Sequence, residues 1–328
     1  TIIMTSYVVA DQISNGLISP EDDVLISEKA WKMQGSKTFI EAGKRVKVSD
    51  LLKGIMIQSG NDASVAIAEY AGGTEEGFVD LMNAYAASLG MNNTLFQNAT
   101  GLPNENHFSS AKDLANLTSN YINKFPEEYS LYKEKQFTFN NIKQLNRNKL
   151  LWRDESADGV KTGHTDAAGY CLVGSAKRGG MRLITVVAGS SSDKDRFSDT
   201  QRLLEYGFRF FATQKVISAD QQLKEISIWG GLTDSLKIGV LNDVSLTLPR
   251  TSFKDLQINY KHRNNIQAPV KKGELIGSLE IVSGSEVVYS ENLIALESID
   301  SKGFFGRIWS KFVLWIMGLF GFNDNGSD

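Results

Sequence analysis

An α+β domain, then a small all-β domain and a C-terminal amphipathic helix, is the architecture this 328-residue sequence predicts, on three observations. Apolar residues recur at helical spacing through the first half of the chain. Around Lys161 they give way to longer apolar runs divided by turn signals, and from about Gln214 to short alternating runs punctuated by Gly, Asn and Asp. The last stretch, Gly303 to Phe322, is apolar on one broad side. The chain is accordingly divided into residues 1–213, 214–300 and 301–328.

The charge balance narrows the function classes. A formal charge of −3 at pH 7, with Lys and Arg spread along the chain, offers no electrostatic footprint for nucleic acid, so no such partner is expected. The single cysteine, Cys171, sits in an apolar strand pattern and reads as a small core residue. His107, His164 and His262 are not at metal-ligand spacing, so no metal and no cofactor are expected.

The elements follow in chain order. Ile2, Ile3, Met4, Tyr7, Val8, Val9 and Ile13 form a buried helix with Gly16 as its stop. Neither a cap nor a polar lead-in precedes it, so the expectation is that residues of this domain lie upstream of Thr1. Leu51, Leu52, Ile55 and Met56 mark a second helix with Ser49 as N-cap, broken at Ser59-Gly60-Asn61-Asp62 and restarted over Ala63 to Tyr70. Ser59 and Asn61, two apart across a glycine, can both face a cleft; equally, Asn61 or Asp62 can simply cap the next helix.

Thr74 to Leu89 is a further helix, with Phe78, Leu81, Tyr85 and Leu89 inward and Gly90 at its end. Ser110 and Asp113 have capping-box spacing ahead of Leu114, Leu117 and Tyr121, and Pro126 ends that helix. A hairpin over Asn140-Asn141 brings Arg147 near the Lys161 strand in sequence. Gly159 to Thr165, Tyr170 to Ser175 and Arg182 to Ala188 are three adjacent antiparallel strands. A last helix, Asp195 to Phe211, packs on them through Phe197, Leu203, Leu204, Phe208 and Phe211.

In the tail, Phe305, Trp309, Phe312, Trp315 and Phe320 share one side with other apolar residues, and Arg307, Ser310 and Lys311 the other. This predicts a helix lying in a membrane interface. A spanning helix is the runner-up, opposed by Arg307 and Lys311, and a buried dimer helix is third.

Ser59-Gly60-Asn61, followed about a hundred residues later by Lys161-Thr162-Gly163, resembles the second and third motifs of the active-site serine penicillin-recognising enzymes. Leu51-Leu52-Lys53-Gly54-Ile55, Tyr129 to Lys135, Gln144 to Asn148, and His164-Thr165-Asp166 with Ala168-Gly169-Tyr170 make the match more specific. Together they look like a low-molecular-mass penicillin-binding protein, a D-alanyl-D-alanine carboxypeptidase of the penicillin-binding protein 5 type. The resemblance runs from Ile3 to the C-terminal helix, and it implies a β-lactamase-like transpeptidase domain in which an antiparallel sheet meets a helical cluster.

What the resemblance implies is acyl transfer on peptidoglycan stem peptides ending in D-Ala-D-Ala, with β-lactam antibiotics as ligands. Lys161 would draw the substrate carboxylate and move a proton through Ser59, Asn61 would hold the substrate amide, and Thr162 the terminal carboxylate. Gly163 would let the substrate lie along the strand, the His164 N–H would be half of an oxyanion hole, and Arg196 would bind carboxylate. The His164 side chain reads as structural rather than as a general base. Arg147 stands between substrate contact and structural ion pair.

One motif departs. In the family, Ser-x-x-Lys precedes Ile-Met-Thr-Ser-Tyr; here Ile2 stands in the lysine place before Ile3-Met4-Thr5-Ser6-Tyr7, and the serine place precedes Thr1. Neither Thr1 nor Ser6 is at the right offset to replace the serine. The expectation is therefore a carboxypeptidase-family chain that lacks its nucleophile and base and does not acylate. With its tail, the family would sit on the periplasmic face of the bacterial inner membrane, as a peripheral protein. A non-catalytic binder of stem peptides or wall-synthesis partners is the second class, and a β-lactamase a weaker third, for which the second domain has no obvious use.

Overall fold

In a computed structural model the described residues are 1–303, and the chain forms two compact units, Thr1–Phe208 and a second from Arg209 onward. The expected membrane-facing residues Phe305, Trp309, Phe312, Trp315 and Phe320 lie outside the described residues. Among the described residues no helix is long and apolar enough to cross a membrane.

The first unit is built around α1 (Ile2–Ser14), buried without a break from Ile2 to Ala10. Its Tyr7 ring meets Tyr85, Tyr121 and Phe125 edge-on at 5.7, 5.6 and 5.1 Å between centroids, each contact adding ~0.5–1.5 kcal/mol beyond area burial. The chain then runs β1 (Asp23–Leu25), α2 (Glu28–Lys32), β2 (Arg45–Lys47) and α3 (Val48–Lys53), with β1 and β2 antiparallel. The expected Ser49 cap is not used: α3 starts one residue earlier, and the Val48 and Ser49 N–H groups donate to the carbonyls of Asp22 and Pro20 at 3.0 and 2.9 Å. Backbone acceptors make a capping side chain unnecessary there.

After α3 comes a π-helical turn, Gly54–Gln58, then α4 (Asn61–Gly72) and α5 (Glu75–Ser88). The fully buried face of α5 is Phe78, Met82 and Ala86, while Leu81, Tyr85 and Leu89 pack beside it, partly covered. In α6 (Ala111–Lys124) Ser110 Oγ caps the Asp113 N–H at 3.1 Å, but the Asp113 carboxylate does not close the box. It accepts from the Asn93 N–H and the Thr94 hydroxyl at 2.9 and 2.8 Å, tying a neighbouring loop instead.

The short α7 (Pro126–Tyr129) leads to the hairpin β3 (Gln136–Phe139) and β4 (Ile142–Leu145), turned by Asn140 and Asn141 at φ 47° and 62°. Two left-handed Asn residues are the backbone a two-residue hairpin needs. Then α8 (Leu150–Arg153) precedes a sheet of order β5 (Ala157–Thr165), β6 (Gly169–Arg178), β7 (Met181–Ser190), and α9 (Asp193–Phe210) covers one face of it. The buried positions of α9 are Arg196, Phe197, Thr200, Leu204 and Gly207; Leu203 is exposed. At Gly207 a Cβ would lie 2.4 Å from the Leu183 side chain, so the leucine packs directly on the helix backbone there.

The second unit is all β. A five-stranded sheet has the order β12 (Leu256–His262), β13 (Leu275–Ser283), β14 (Glu286–Ala295), β10 (Ser235–Gly239), β9 (Lys224–Ser227). A two-stranded sheet pairs β11 (Val244–Pro249) with β8 (Phe211–Ile217). The sequence reading missed β8 and placed Phe211 in the preceding helix, because its pattern of aromatic, small and polar residues lacks clean alternation.

Candidate active site

A cleft of about 680 Å³ in the first unit gathers Ser59, Asn61, Arg147, Lys161, Thr162, Gly163, His164 and Arg196. One wall is β5, the edge strand of its sheet, paired with β6 through Lys161↔Val173 and Gly163↔Cys171. Its other edge has no strand partner among the described residues.

Lys161 is 7 % exposed, and its Nζ donates to the Thr162 carbonyl at 3.0 Å. Burial, and then the positive charge of Arg147 and Arg196, lower its pKa to about 7. Arg147 itself is held below its ordinary value by burial and by Arg196, and no carboxylate pairs with it among the described residues.

Arg196 is 7 % exposed and threads under the strand wall: Nη1 donates to the carbonyls of Gly163 at 3.0 Å and Cys171 at 3.4 Å, and Nη2 pairs with Asp193. It locks β5 to β6 from the α9 side. The exposed His164 ring stacks on Tyr170 with centroids 4.1 Å apart, and the Arg196 guanidinium lies over the same tyrosine at 5.4 Å.

The facing wall is the Ser59-Gly60-Asn61 turn. The π-helical turn adds a residue to the helix just before it, and Ser59 adopts a left-handed conformation, φ 61°. A non-glycine residue there is strained and is held by its surroundings. Asn61 opens α4 without capping it; Nδ2 donates to the Gln34 carbonyl at 2.7 Å. Asp62 takes one N–H of the first turn of α4, that of Ala63 at 2.8 Å, while its carboxylate also reaches back to the backbone of Thr38 and Phe39.

Sequence reasoning missed three contributors to the cleft. Gly35 and Ser36, and the loop of Thr100, Gly101 and Leu102, form parts of its wall. They are loop residues with no periodic signal, and only their closeness in space marks them. Cys171 is the third, and corrects an expectation: it is partly exposed and lines the cleft, its Sγ 3.4 Å from the Ala168 carbonyl. Its cross-strand neighbour on that face is Gly163, which has no side chain to cover it.

Thr1 also faces the cleft, with Oγ1 2.7 Å from His107 Nε2. His107 Nδ1 accepts from the Gln97 N–H at 3.4 Å, so the neutral ring carries its proton on Nε2 and donates to the threonine.

Comparisons with known proteins place the chain in a family. Residues 1–192 match the family model for D-alanyl-D-alanine carboxypeptidase, and residues 211–301 that for the penicillin-binding protein 5 C-terminal domain. The chain is 42 % identical to the D-alanyl-D-alanine carboxypeptidase DacC of Escherichia coli, over 96 % of this chain and 82 % of that protein. It is also 42 % identical to DacA of the same organism, over 94 % and 78 %. The crystal structure of penicillin-binding protein 5 from Haemophilus influenzae superposes with a TM-score of 0.82 at 40 % identity, covering 91 % of this chain and 89 % of that one. With family models matching both units, and the two expected motifs meeting in one cleft, the chain belongs to the D-alanyl-D-alanine carboxypeptidase family.

Proposed function

We propose that the cleft binds peptidoglycan stem peptides through their D-Ala-D-Ala ends, and β-lactams in the same place. The observation that carries this is the meeting of Ser59 and Asn61 with Lys161, Thr162 and Gly163 across one cleft. The free edge of β5 can take an extended peptide as an added strand, and Gly163 leaves the backbone open to it. Lys161 and Arg147 supply positive charge for the terminal carboxylate, with the Thr162 hydroxyl beside them. Asn61 offers its remaining N–H and Oδ1 to the ligand amide.

In the acyl-transfer reaction of this family a serine attacks the penultimate carbonyl, the terminal D-Ala leaves, and water releases the acyl-enzyme. In that reaction Ser59 would relay a proton to the leaving amine, Lys161 would lower the cost of that transfer, and the His164 N–H would support the oxyanion. Ile2 stands where the base lysine belongs. An isoleucine cannot take the proton of an attacking serine, so loss of acylation is proposed on that substitution. Incubation with a fluorescent penicillin followed by a denaturing gel tests this: no labelled band is expected, and a band at full length overturns it. Location on the periplasmic membrane surface rests on the one-sided apolar pattern of residues 303–322. Deleting Gly303 onward should abolish flotation with liposomes, and unchanged flotation refutes the anchor.

A further inference from the structure

Asp62 is fully buried, at 0 % exposure, and among the described residues no Lys or Arg pairs with it. Its two oxygens are taken up by backbone N–H groups. Oδ1 accepts from the N–H groups of Thr38 and Ala63, both at 2.8 Å, and Oδ2 from those of Phe39 at 2.9 Å and Ile40 at 3.3 Å. Carboxylate–amide bonds are stronger than neutral ones, and the first turn of α4 favours a negative charge.

Three consecutive N–H groups collected by one side chain fix a segment rather than a single residue. Residues 34–40 are gripped at other points too. The Ser36 carbonyl accepts from the Asn61 N–H at 2.8 Å, the Gln34 carbonyl from Asn61 Nδ2 at 2.7 Å, and the Thr38 carbonyl from Gln144 Nε2 at 3.1 Å. Two glycines make room for the contact. A Cβ on Gly54 or Gly60 would lie 2.3 or 2.0 Å from Thr38 Oγ1. Phe39 holds φ 69° with its side chain 45 % exposed, so the packing of its ring does not enforce that strained backbone. Hydrogen bonds on both sides of the residue hold it: Asp62 takes the Phe39 N–H, and Asn140 Nδ2 donates to the Phe39 carbonyl at 3.1 Å.

We infer that Asp62 is a positioning residue, whose carboxylate ties residues 34–40 as a strap across the Ser59–Asn61 turn and so fixes the Asn61 amide for the ligand. This rests on the reading of the cleft as a D-Ala-D-Ala site. The chain of contacts is short: Asp62 holds the strap, the strap presents the Gln34 carbonyl, and that carbonyl takes one N–H of Asn61. The other N–H and Oδ1 are thereby set in one plane. Without the strap the amide turns freely and Ser36 leaves the wall.

The test compares the full chain with Asp62→Asn, in which one acceptor oxygen becomes a donor facing donors. Hydrogen exchange of the 38–40 amides should quicken at least tenfold. Affinity for diacetyl-L-lysyl-D-alanyl-D-alanine, by calorimetry at a temperature where circular dichroism shows the variant folded, should fall at least fivefold. A merely structural role would lower the melting temperature and leave that affinity unchanged, which overturns the inference, as does unchanged exchange at 38–40. If the wild-type chain does not bind the peptide, the reading of the site falls, and the exchange rates still decide whether Asp62 ties the strap. Should Asp62→Asn not fold, Gln144→Ala frees only the Thr38 carbonyl. Faster exchange at 36–40 with weaker peptide binding then supports the strap, and wild-type values overturn it.

Discussion

The two units bury different chemistry. The second closes on aliphatic side chains such as Ile226, Leu236, Ile238, Leu279 and Leu293, and among the described residues every buried polar or charged side chain lies in the first. An apolar core needs only area removed from water. A buried polar group is unfavourable unless bonded, so its accumulation marks an arrangement that stability alone does not explain. Among the described residues, the buried polar atoms without a partner, Thr38 Oγ1, Gln144 Oε1, Asn148 Nδ2 and Arg196 Nε, sharpen the point. Thr38 and Gln144 belong to the strap and its grip, Asn148 follows Arg147, and Arg196 lines the cleft.

The largest effect that could break this comparison is in the second unit. Leu279 is fully buried in β13, and Leu279→Ala should lower the unfolding free energy of that unit by about 2–5 kcal/mol. Affinity for a D-Ala-D-Ala peptide, measured below the melting transition, should not change. If affinity falls along with stability, the second unit is not the passive partner that its core suggests.

Next comes the reverse case. Lys161→Met keeps length and removes a buried charge, so thermal unfolding should show stability kept or raised. Peptide affinity should fall at least tenfold, about 1.4 kcal/mol. Unchanged affinity would mean that this buried cation does not serve the ligand.

Legibility in the sequence divides along similar lines. The β5 wall could be read from Lys161-Thr162-Gly163 because a strand fixes side-chain direction by alternation, and its partners β6 and β7 carried plain apolar runs. The Ser59–Asn61 turn was legible as a break between helices that can turn Ser59 and Asn61 to a cleft, but its shape was not. Its geometry comes from a π-helical turn and from bonds spanning more than twenty residues, such as Asp62 to Thr38, which no local pattern records. Cys171 was misread because its strand pattern is truly apolar, and what uncovers it is a glycine on the neighbouring strand. In the second unit β9 to β13 fall on short apolar runs, whereas β14 buries Leu293, Ile294 and Ala295 in succession and β8 shows no clean alternation.

The smallest effect concerns how the cations of the first unit act on one another. The Lys161 pKa in the fold is about 7 against an ordinary 10.5, lowered by burial first and then by Arg147 and Arg196. Below about pH 7 the folded chain holds a buried cation at a cost. Between about pH 7 and 10.5 the unfolded state binds the extra proton, so stability rises with pH across that window. Affinity for a carboxylate runs the other way and falls as pH rises through about 7, where Lys161 loses its charge. Arg147→Gln removes one positive neighbour, so the midpoint of that fall should move to higher pH, read by calorimetry from pH 6 to 9. A moved midpoint with unchanged affinity at low pH makes Arg147 an electrostatic neighbour of Lys161. Lower affinity at low pH makes it a ligand contact as well. A fixed midpoint would leave burial as the main cause of the depressed value, and the cations of the first unit would then act on the ligand independently.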